Sequence, residues 1–376
     1  MCNVNEIMTK LKLILKDGTE VIGDSFGYLP KKEVDGEVVF NTGMVGYPEM
    51  FTDPSYRGQI LVLTYPLIGN YGVPSNDQFP MTNGQLSKFL ESNQIHLRGL
   101  VVSEYSDEYS HWQAKKSLAD MLKKYKISAL QGVDTRALTQ KLREHGVMLG
   151  KIVPESMKFS KSMTFSDPNV SNLVAEVSPK KLTTLKPKGR SKCTVALLDC
   201  GIKHNIIRNF LNRGCKVIRM PWNYDIAQLK GKYDGLFVSN GPGDPKMTLQ
   251  TTDAIKHVMK EGKPIFGICL GTQLMALSVG ADTYKLKYGH RSANQPCIDL
   301  ETGRCYITSQ NHGYAVNHKT LPKGWKVWFE NANDGTVEGV KHKTKPWFAV
   351  QFHPEASPGP EDTAYLLDEF IKKLTK

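Results

Sequence analysis

The stretch PIFGICLGTQLMA, residues 264–276, carries a cysteine between two glycines: Gly267-Ile268-Cys269-Leu270-Gly271. An apolar strand-forming run precedes Cys269 and a helix-forming run follows, so the cysteine falls where the chain must turn sharply. A nucleophile elbow has this layout: the turn leaves no room for flanking side chains, and the reactive atom projects at the carboxyl end of a strand. The helix start beneath the sulfur adds partial positive charge that favours thiolate over thiol. A buried cysteine beside packing glycines would leave the same five residues, so the motif needs partners.

A thiol nucleophile requires a base, and the base requires an orienting group. AVQFHPEASPGP holds both, with His353 lying 84 residues beyond Cys269. His353 and Glu355 are two residues apart, which puts them on one side of an extended chain. The imidazole can take the thiol proton while the carboxylate fixes its tautomer and stabilises the imidazolium. His-Pro-Glu alone reads as well as a surface turn; with the elbow upstream it becomes half of a specific pair. A third element is SNGPGDP, residues 239–245, after the strand-like GLFVS. Its glycines let a backbone N–H approach a ligand, and the N–H of Leu270 is the natural second donor of an oxyanion hole. A plain turn would satisfy the same loop.

The elements that must position these groups alternate in the second half of the chain. CTVALLDC, KVIRMPW, GLFVSN and PIFGIC read as strands. NIIRNFLNRG, TTDAIKHVMKEG and LGTQLMALSVG read as helices, which predicts a parallel, doubly wound α/β sheet. CYITSQ, KVWFEN, TVEGVKH and WFAVQF add β structure, and TAYLLDEFIKKL closes with a helix. The first half places strands before helices, which predicts an α+β domain. KLKLIL and TEVIGDSFG form a hairpin around Asp17-Gly18, followed by EVVFNTG, QILVLTY and LRGLVVSEY. Helices follow around Leu118–Tyr125 and from an Asp134 N-cap to a Gly146 stop. The expected division is an N-terminal domain over 1–154, a basic linker over 155–191 and an α/β domain over 192–376. Met8 reads as an ordinary domain start, which makes residues 1–7 an extension.

The chain has 376 residues, 40% hydrophobic and 23% charged, which fits a soluble two-domain protein. It shows no run of 18 apolar residues and no signal-peptide pattern, so neither a membrane span nor export is expected, and a cytoplasmic location is. Seven cysteines without a Cys-x-x-Cys pair argue against a disulfide framework and against a zinc site. The net charge is +12, and nine basic against three acidic residues between Lys151 and Lys192 supply half of it. That stretch lacks the setting of a nucleic-acid-binding module and reads as a solvated linker, with an acidic partner as the alternative.

FGICLGTQ, SNGPGD and HPEAS together resemble the class I, or triad, glutamine amidotransferases over about residues 192–376. GEVVFNTGMVGYPEMFTDPSYRGQILVLTYPLIGNYG, with SQNHGYAV and HPEASPGP, narrows the resemblance to the small subunit of carbamoyl phosphate synthetase and extends it over nearly the whole chain. The resemblance implies that Cys269 attacks the side-chain amide of L-glutamine, with His353 as general base and acid and Glu355 as its orienter. It places oxyanion-hole amides at Gly241 and Leu270. It places glutamine-binding positions at Ser55, Gly241, Gly243, Leu270, Gln273, Asn311, Gly313 and Tyr314, and Ser55 would bring the site against the domain boundary. Thr272 and Tyr314 depart from the histidine and phenylalanine often found there. The resemblance further implies that ammonia passes to a separate large subunit, which binds ATP and Mg, since this chain shows no nucleotide-binding loop. No cofactor or metal is expected in this chain. The product would serve arginine synthesis, pyrimidine synthesis or both. Three rivals stand beside this reading: a glutaminase of another synthase, a non-catalytic scaffold on the same fold, and a cysteine hydrolase of esters or lactones.

Overall fold

The computed structural model describes residues 9–74, 86 and 89–375. Two compact units divide the chain: Met1–Phe51, Gly58–Phe79 and Gln94–Pro168 form the first, and Thr52–Arg57, Pro80–Asn93 and Asn169–Lys376 the second.

In the first unit the predicted hairpin forms as β1 (Lys10–Leu15) and β2 (Glu20–Ser25). Strands β3 (Val34–Asn41), β4 (Gln59–Leu63), β7 (Gly99–Val101), β10 (Ser128–Gln131) and β11 (Met148–Pro154) join it in a closed barrel of order β1-β11-β3-β4-β7-β10-β2. Two small ribbons lie outside it, β5 (Leu67–Ile68) with β8 (Glu104–Tyr105) and β6 (Val73–Pro74) with β9 (Ala114–Lys116). Helices α2 (Leu118–Lys124) and α3 (Thr135–His145) start at side-chain caps from Ser117 and Asp134, which satisfy N–H groups that lack a partner in the first turn. The short α1 is Tyr47–Thr52. Closure of the barrel is new relative to the sequence reading: alternation marks strands but does not say whether the first pairs with the last.

The second unit is built on a sheet of order β12-β14-β13-β15-β16-β21-β20-β19-β17-β18. Its parallel part holds the four predicted strands, β13 (Cys193–Asp199), β14 (Cys215–Pro221), β15 (Gly235–Val238) and β16 (Ile265–Ile268), and also β21 (Trp347–Val350), which the sequence marked only as further β structure. Strand residues alternate between two cores, as a period of two requires. Ala196, Leu198, Leu236 and Val238 pack with Ile255 and Val258 of α6 (Gln250–Glu261) and Leu274 of α7 (Leu270–Ser278). Val195, Leu197 and Phe237 pack on the opposite face with Ile206, Ile207 and Phe210 of α5 (His204–Asn212) and Leu366, Leu367 and Phe370 of α8 (Tyr365–Leu374). Both faces are therefore covered by helices.

The far end of the sheet is antiparallel, which the helix–strand alternation did not reveal. It comprises β17 (Asp282–Asp299), β18 (Cys305–Asn317), β19 (Trp325–Asn331) and β20 (Val337–His342). The 18-residue β17 is polar and mixed in pattern, so no apolar period announces it. The basic stretch is more than a linker: Leu173 and Val174 of α4 (Leu173–Val177) are buried, and β12 (Thr183–Leu185) pairs with β14. Its lysines from Lys158 to Lys192 face solvent.

Candidate active site

Cys269 sits between β16 and α7 with φ 54° and ψ −107°. A non-glycine residue in that region costs about 1–3 kcal/mol, held in place by the surrounding structure. The flanking glycines show what holds it. A Cβ on Gly271 would lie 2.2 Å from the Val238 carbonyl oxygen, and one on Gly267 would lie 2.8 Å from the Gly271 backbone. Both neighbours are main chain and cannot rotate away. The Cys269 N–H donates to the Val350 carbonyl at 2.9 Å, which ties the elbow to the strand leading into His353.

His353 follows β21 and donates its own N–H to the Ser309 carbonyl at 2.8 Å. Its Nδ1 lies 2.7 Å from Glu355 Oε1. The pair is not carried on an extended chain as expected from the two-residue spacing. His353-Pro354-Glu355 forms a turn in which the Ala356 N–H donates to the His353 carbonyl, and Pro354 presets the backbone for that bend. Nε2 of His353 is buried and has no hydrogen-bond partner among the described residues. The Cys269 Sγ lies 3.7 Å from the Asn311 carbonyl oxygen, and the thiol is among the groups that raise the His353 ring.

The electrostatics follow from burial and from Lys203, a residue the sequence reading did not single out. Lys203 is 3% exposed and its Nζ lies 3.0 Å from Glu355 Oε1, the oxygen that also receives His353. It donates as well to the Ala356 carbonyl. Burial disfavours the His353 cation and Lys203 opposes it, but the Glu355 charge together with hydrogen bonding to Cys269 and Glu355 lifts the ring to about 10. Burial would raise Glu355, yet Lys203 and then His353 hold it down to about 2. Burial also works against the Lys203 cation, and Glu355, Glu91 and Asp53 together push it above its ordinary value.

The remaining predicted positions all belong to the second unit. A Cβ on Gly241 would meet the Cys200 carbonyl oxygen at 2.1 Å, so the SNGPGDP loop can pass there only as glycine. Gly243 has φ +83°, a left-handed conformation that glycine adopts without strain. Leu270 is the first residue of α7, where N–H groups have no acceptor within the helix. Gln273 donates from Nε2 to the Tyr314 carbonyl at 2.9 Å and to Gln351 Oε1 at 3.1 Å. Gly313 and Tyr314 lie on β18 directly after Asn311.

Ser55, although early in the sequence, belongs to the second unit through the segment Thr52–Arg57. Its hydroxyl accepts from Asn240 Nδ2 at 3.0 Å, and its N–H donates to Asp53 Oδ1 at 2.9 Å. Asn311 Nδ2 donates to Asp53 Oδ2 at 3.1 Å. Asp53 therefore orients two predicted ligands, and Asn240 a third contact, yet neither was picked out in the sequence. Glu91 is a further buried acid, accepting from Arg208 Nη2 at 2.6 Å, the Asn205 N–H at 2.9 Å and the Ser357 hydroxyl at 2.7 Å. The available signal was an acid or amide beside each motif, which sequence alone cannot separate from surface polarity.

The chemistry available is nucleophilic attack by sulfur, proton transfer through an imidazole backed by a buried carboxylate, and backbone N–H groups for a developing oxyanion. Comparison with known proteins agrees in kind. The family model for glutamine amidotransferase class-I matches residues 196–373, and that for the carbamoyl-phosphate synthase small chain, CPSase domain, matches residues 13–152. The arginine-specific small chain of carbamoyl phosphate synthase from Saccharomyces cerevisiae is 48% identical over 374 residues, covering 98% of this chain and 89% of that one. Its counterpart from Neosartorya fischeri is 47% identical, covering 96% and 79%. Multifunctional protein pyr1-3 of Dictyostelium discoideum is 49% identical across 96% of this chain, which spans only 17% of that protein's length. The second unit thus has a class I glutamine amidotransferase fold, and the chain belongs to the carbamoyl-phosphate synthase small-chain family.

Proposed function

We propose that the chain is the glutaminase of a glutamine-hydrolysing carbamoyl-phosphate synthase. Cys269 Sγ attacks the carboxamide carbon of L-glutamine while His353 Nε2 takes the thiol proton. The tetrahedral oxyanion is met by the N–H groups of Gly241 and Leu270, and collapse expels ammonia as His353 returns the proton to the leaving nitrogen. Water, activated by the same ring, then cleaves the thioester and releases glutamate. Ser55, Gly241, Gly243, Leu270, Gln273, Asn311, Gly313 and Tyr314 bind the substrate, and Glu355 keeps the ring in the tautomer that presents Nε2.

The observation that carries this reading is the buried His353–Glu355 contact of 2.7 Å, with the partnerless Nε2 on the other side of the ring. A scaffold that had lost its chemistry would have no use for a strained Cys269 beside it. The relatives named as small chains support a partner large subunit; that this partner uses ATP and Mg and consumes the ammonia in the cytoplasm, for arginine synthesis, pyrimidine synthesis or both, belongs to the same proposal. No helix among the described residues is long and apolar enough to cross a membrane.

Reconstitution of the chain with a candidate large subunit tests the proposal. Cys269→Ser is expected to remove glutamine-dependent carbamoyl phosphate synthesis and leave synthesis from free ammonia intact. Loss of both activities in an assembled complex, or glutamine hydrolysis that survives the substitution, refutes it.

A further inference from the structure

Away from the thiol, three buried side chains from three antiparallel strands point at one spot: His290 on β17, His312 on β18 and Glu338 on β20. One atom from each lies within 4.8 Å of the others. His290 Nδ1 is 3.0 Å and His312 Nε2 3.6 Å from Glu338 Oε1. Metal bonds of about 2.0–2.1 Å at tetrahedral angles set ligand atoms about 3.3 Å apart, so these separations bracket the required value.

The atoms behind the cluster are arranged as zinc-binding histidines require. Nε2 of His290 lies 2.9 Å from the Asp334 carboxylate, and Nδ1 of His312 lies 2.9 Å from the Tyr314 carbonyl. In each ring the nitrogen facing away is thus committed to an oxygen acceptor, so the neutral ring presents a lone pair on the nitrogen facing inward. Gln310 adds to the convergence. Its Nε2 donates to Cys297 Sγ and Thr308 Oγ1, so its Oε1 is turned toward His312 Nε2 at 3.1 Å. The Asn331 amide also approaches the facing atoms, at 3.5 Å from His290 Nδ1 and 3.4 Å from Glu338 Oε1. Glu338 Oε2 is buried with no hydrogen-bond partner among the described residues. Inward lone pairs and a carboxylate repel one another in a buried site unless a proton or a metal cation lies between them, and a cation can satisfy all three at once.

We propose that His290, His312 and Glu338 form a structural site for a divalent transition metal of the zinc class, with Gln310 Oε1 or a water completing the tetrahedron. Two imidazoles and one carboxylate suit zinc better than magnesium or calcium, which prefer oxygen ligands throughout. The residue before His312 is Asn311, whose carbonyl faces the Cys269 thiol and whose amide reaches Asp53. A metal here would clamp the strand behind the nucleophile without touching the reacting atoms. The spacing from 290 to 312 to 338 matches no short metal motif, so the expectation of a metal-free chain, drawn from the cysteines, did not address it.

The test uses the full chain in a Cys269→Ser background, so that the catalytic thiol cannot report as a ligand. After chelation and dialysis, Zn2+ is expected to bind at about one per chain by mass spectrometry of the metal. Co2+ should give the intense visible bands of a tetrahedral site, and saturating Zn2+ should raise the melting temperature by about 5 °C. Glu338→Gln should lower Zn2+ affinity at least 100-fold. Asp334→Asn, which alters only the partly exposed carboxylate behind His290, should lower it about 10-fold in a folded protein. No retained metal and no thermal shift in the Cys269→Ser chain overturns the proposal. Equal Zn2+ affinity in the Glu338 and Asp334 variants overturns it as well, because the ion would then be bound elsewhere.

Discussion

Lys203 offers a quantitative test of how the site is tuned. Its ammonium and the His353 ring both rest on Glu355 Oε1, at 3.0 and 2.7 Å. Two cations sharing one oxygen at these distances are at most about 5.7 Å apart, and at an effective dielectric of about 20 they repel by about 3 kcal/mol. That corresponds to about 2 pH units in the titration of the ring, which water entering after substitution would reduce to about 1–2. Lys203 works against the His353 proton, so Lys203→Met removes an opposing charge and the ring should hold its proton more tightly. The ring must hold its proton to deliver it to the leaving nitrogen, so the alkaline limb of kcat/KM for glutamine hydrolysis should move to higher pH by the same interval. The substitution also breaks a buried ion pair, a change that costs about 3–5 kcal/mol when the remaining charge has no partner. Glu355 keeps His353, so the lower end is expected, read as a fall in denaturation midpoint. The assay is a pH–rate profile of glutamate release by the reconstituted complex, with circular dichroism confirming the fold. An alkaline limb that stays in place, or moves to lower pH, refutes the reasoning that Lys203 sets the basicity of the ring.

Other perturbations probe separate parts of the site. Gly271→Ala should destabilise the chain by about 1–3 kcal/mol in urea unfolding, because the added methyl meets the Val238 carbonyl at 2.2 Å; an unchanged midpoint would mean the elbow is softer than it looks. Asp53→Ala removes the acceptor of the Ser55 N–H and the Asn311 amide, so KM for glutamine should rise about tenfold with a smaller change in kcat. Glu91→Gln leaves the Arg208 guanidinium without its carboxylate and should cost about 3 kcal/mol of stability by chemical denaturation. The Glu355 carboxyl falls to about 2 in the folded chain from an ordinary 4.5. Its stabilising effect should therefore be complete above pH 4.5 and fade as the pH falls toward 2, seen as a sloping melting temperature that Glu355→Gln flattens.

The parts of this protein legible in its sequence are those whose cause is local. The elbow declares itself because Gly267 and Gly271 are demanded by main-chain atoms a few ångströms away, and no other residue satisfies that demand. The parallel strands declare themselves because β13, β15 and β16 are buried on both faces and so become short apolar runs. What stays hidden has a distant cause. Strand β17 has little apolar period, and the barrel closes through pairing of β1 with β11, more than a hundred residues apart in the chain. The turn at Pro354 reaches the same His353–Glu355 contact that an extended chain was expected to give, so the spacing was informative while its geometry was not.

The charged groups that tune the site are hidden for a related reason. A lysine such as Lys203, or acids such as Asp53 and Glu91, would ordinarily be taken as solvated, since charged residues are rarely buried unless paired. Each becomes interpretable only when its partner is known, and the partners stand far off in sequence: Lys203 with Glu355, Asp53 with Asn311, Glu91 with Arg208. Nucleophile and base are named by motifs because their chemistry restricts residue type. Their tuning is done by charges that many sequences could supply from many places, and these become visible only once the fold has brought them together. The same logic makes Lys203, rather than the motif residues, the sharper test of the electrostatic argument: removing Cys269 or His353 abolishes activity under almost any mechanism, whereas displacing a pH profile in a stated direction requires the charges to lie where the structure puts them.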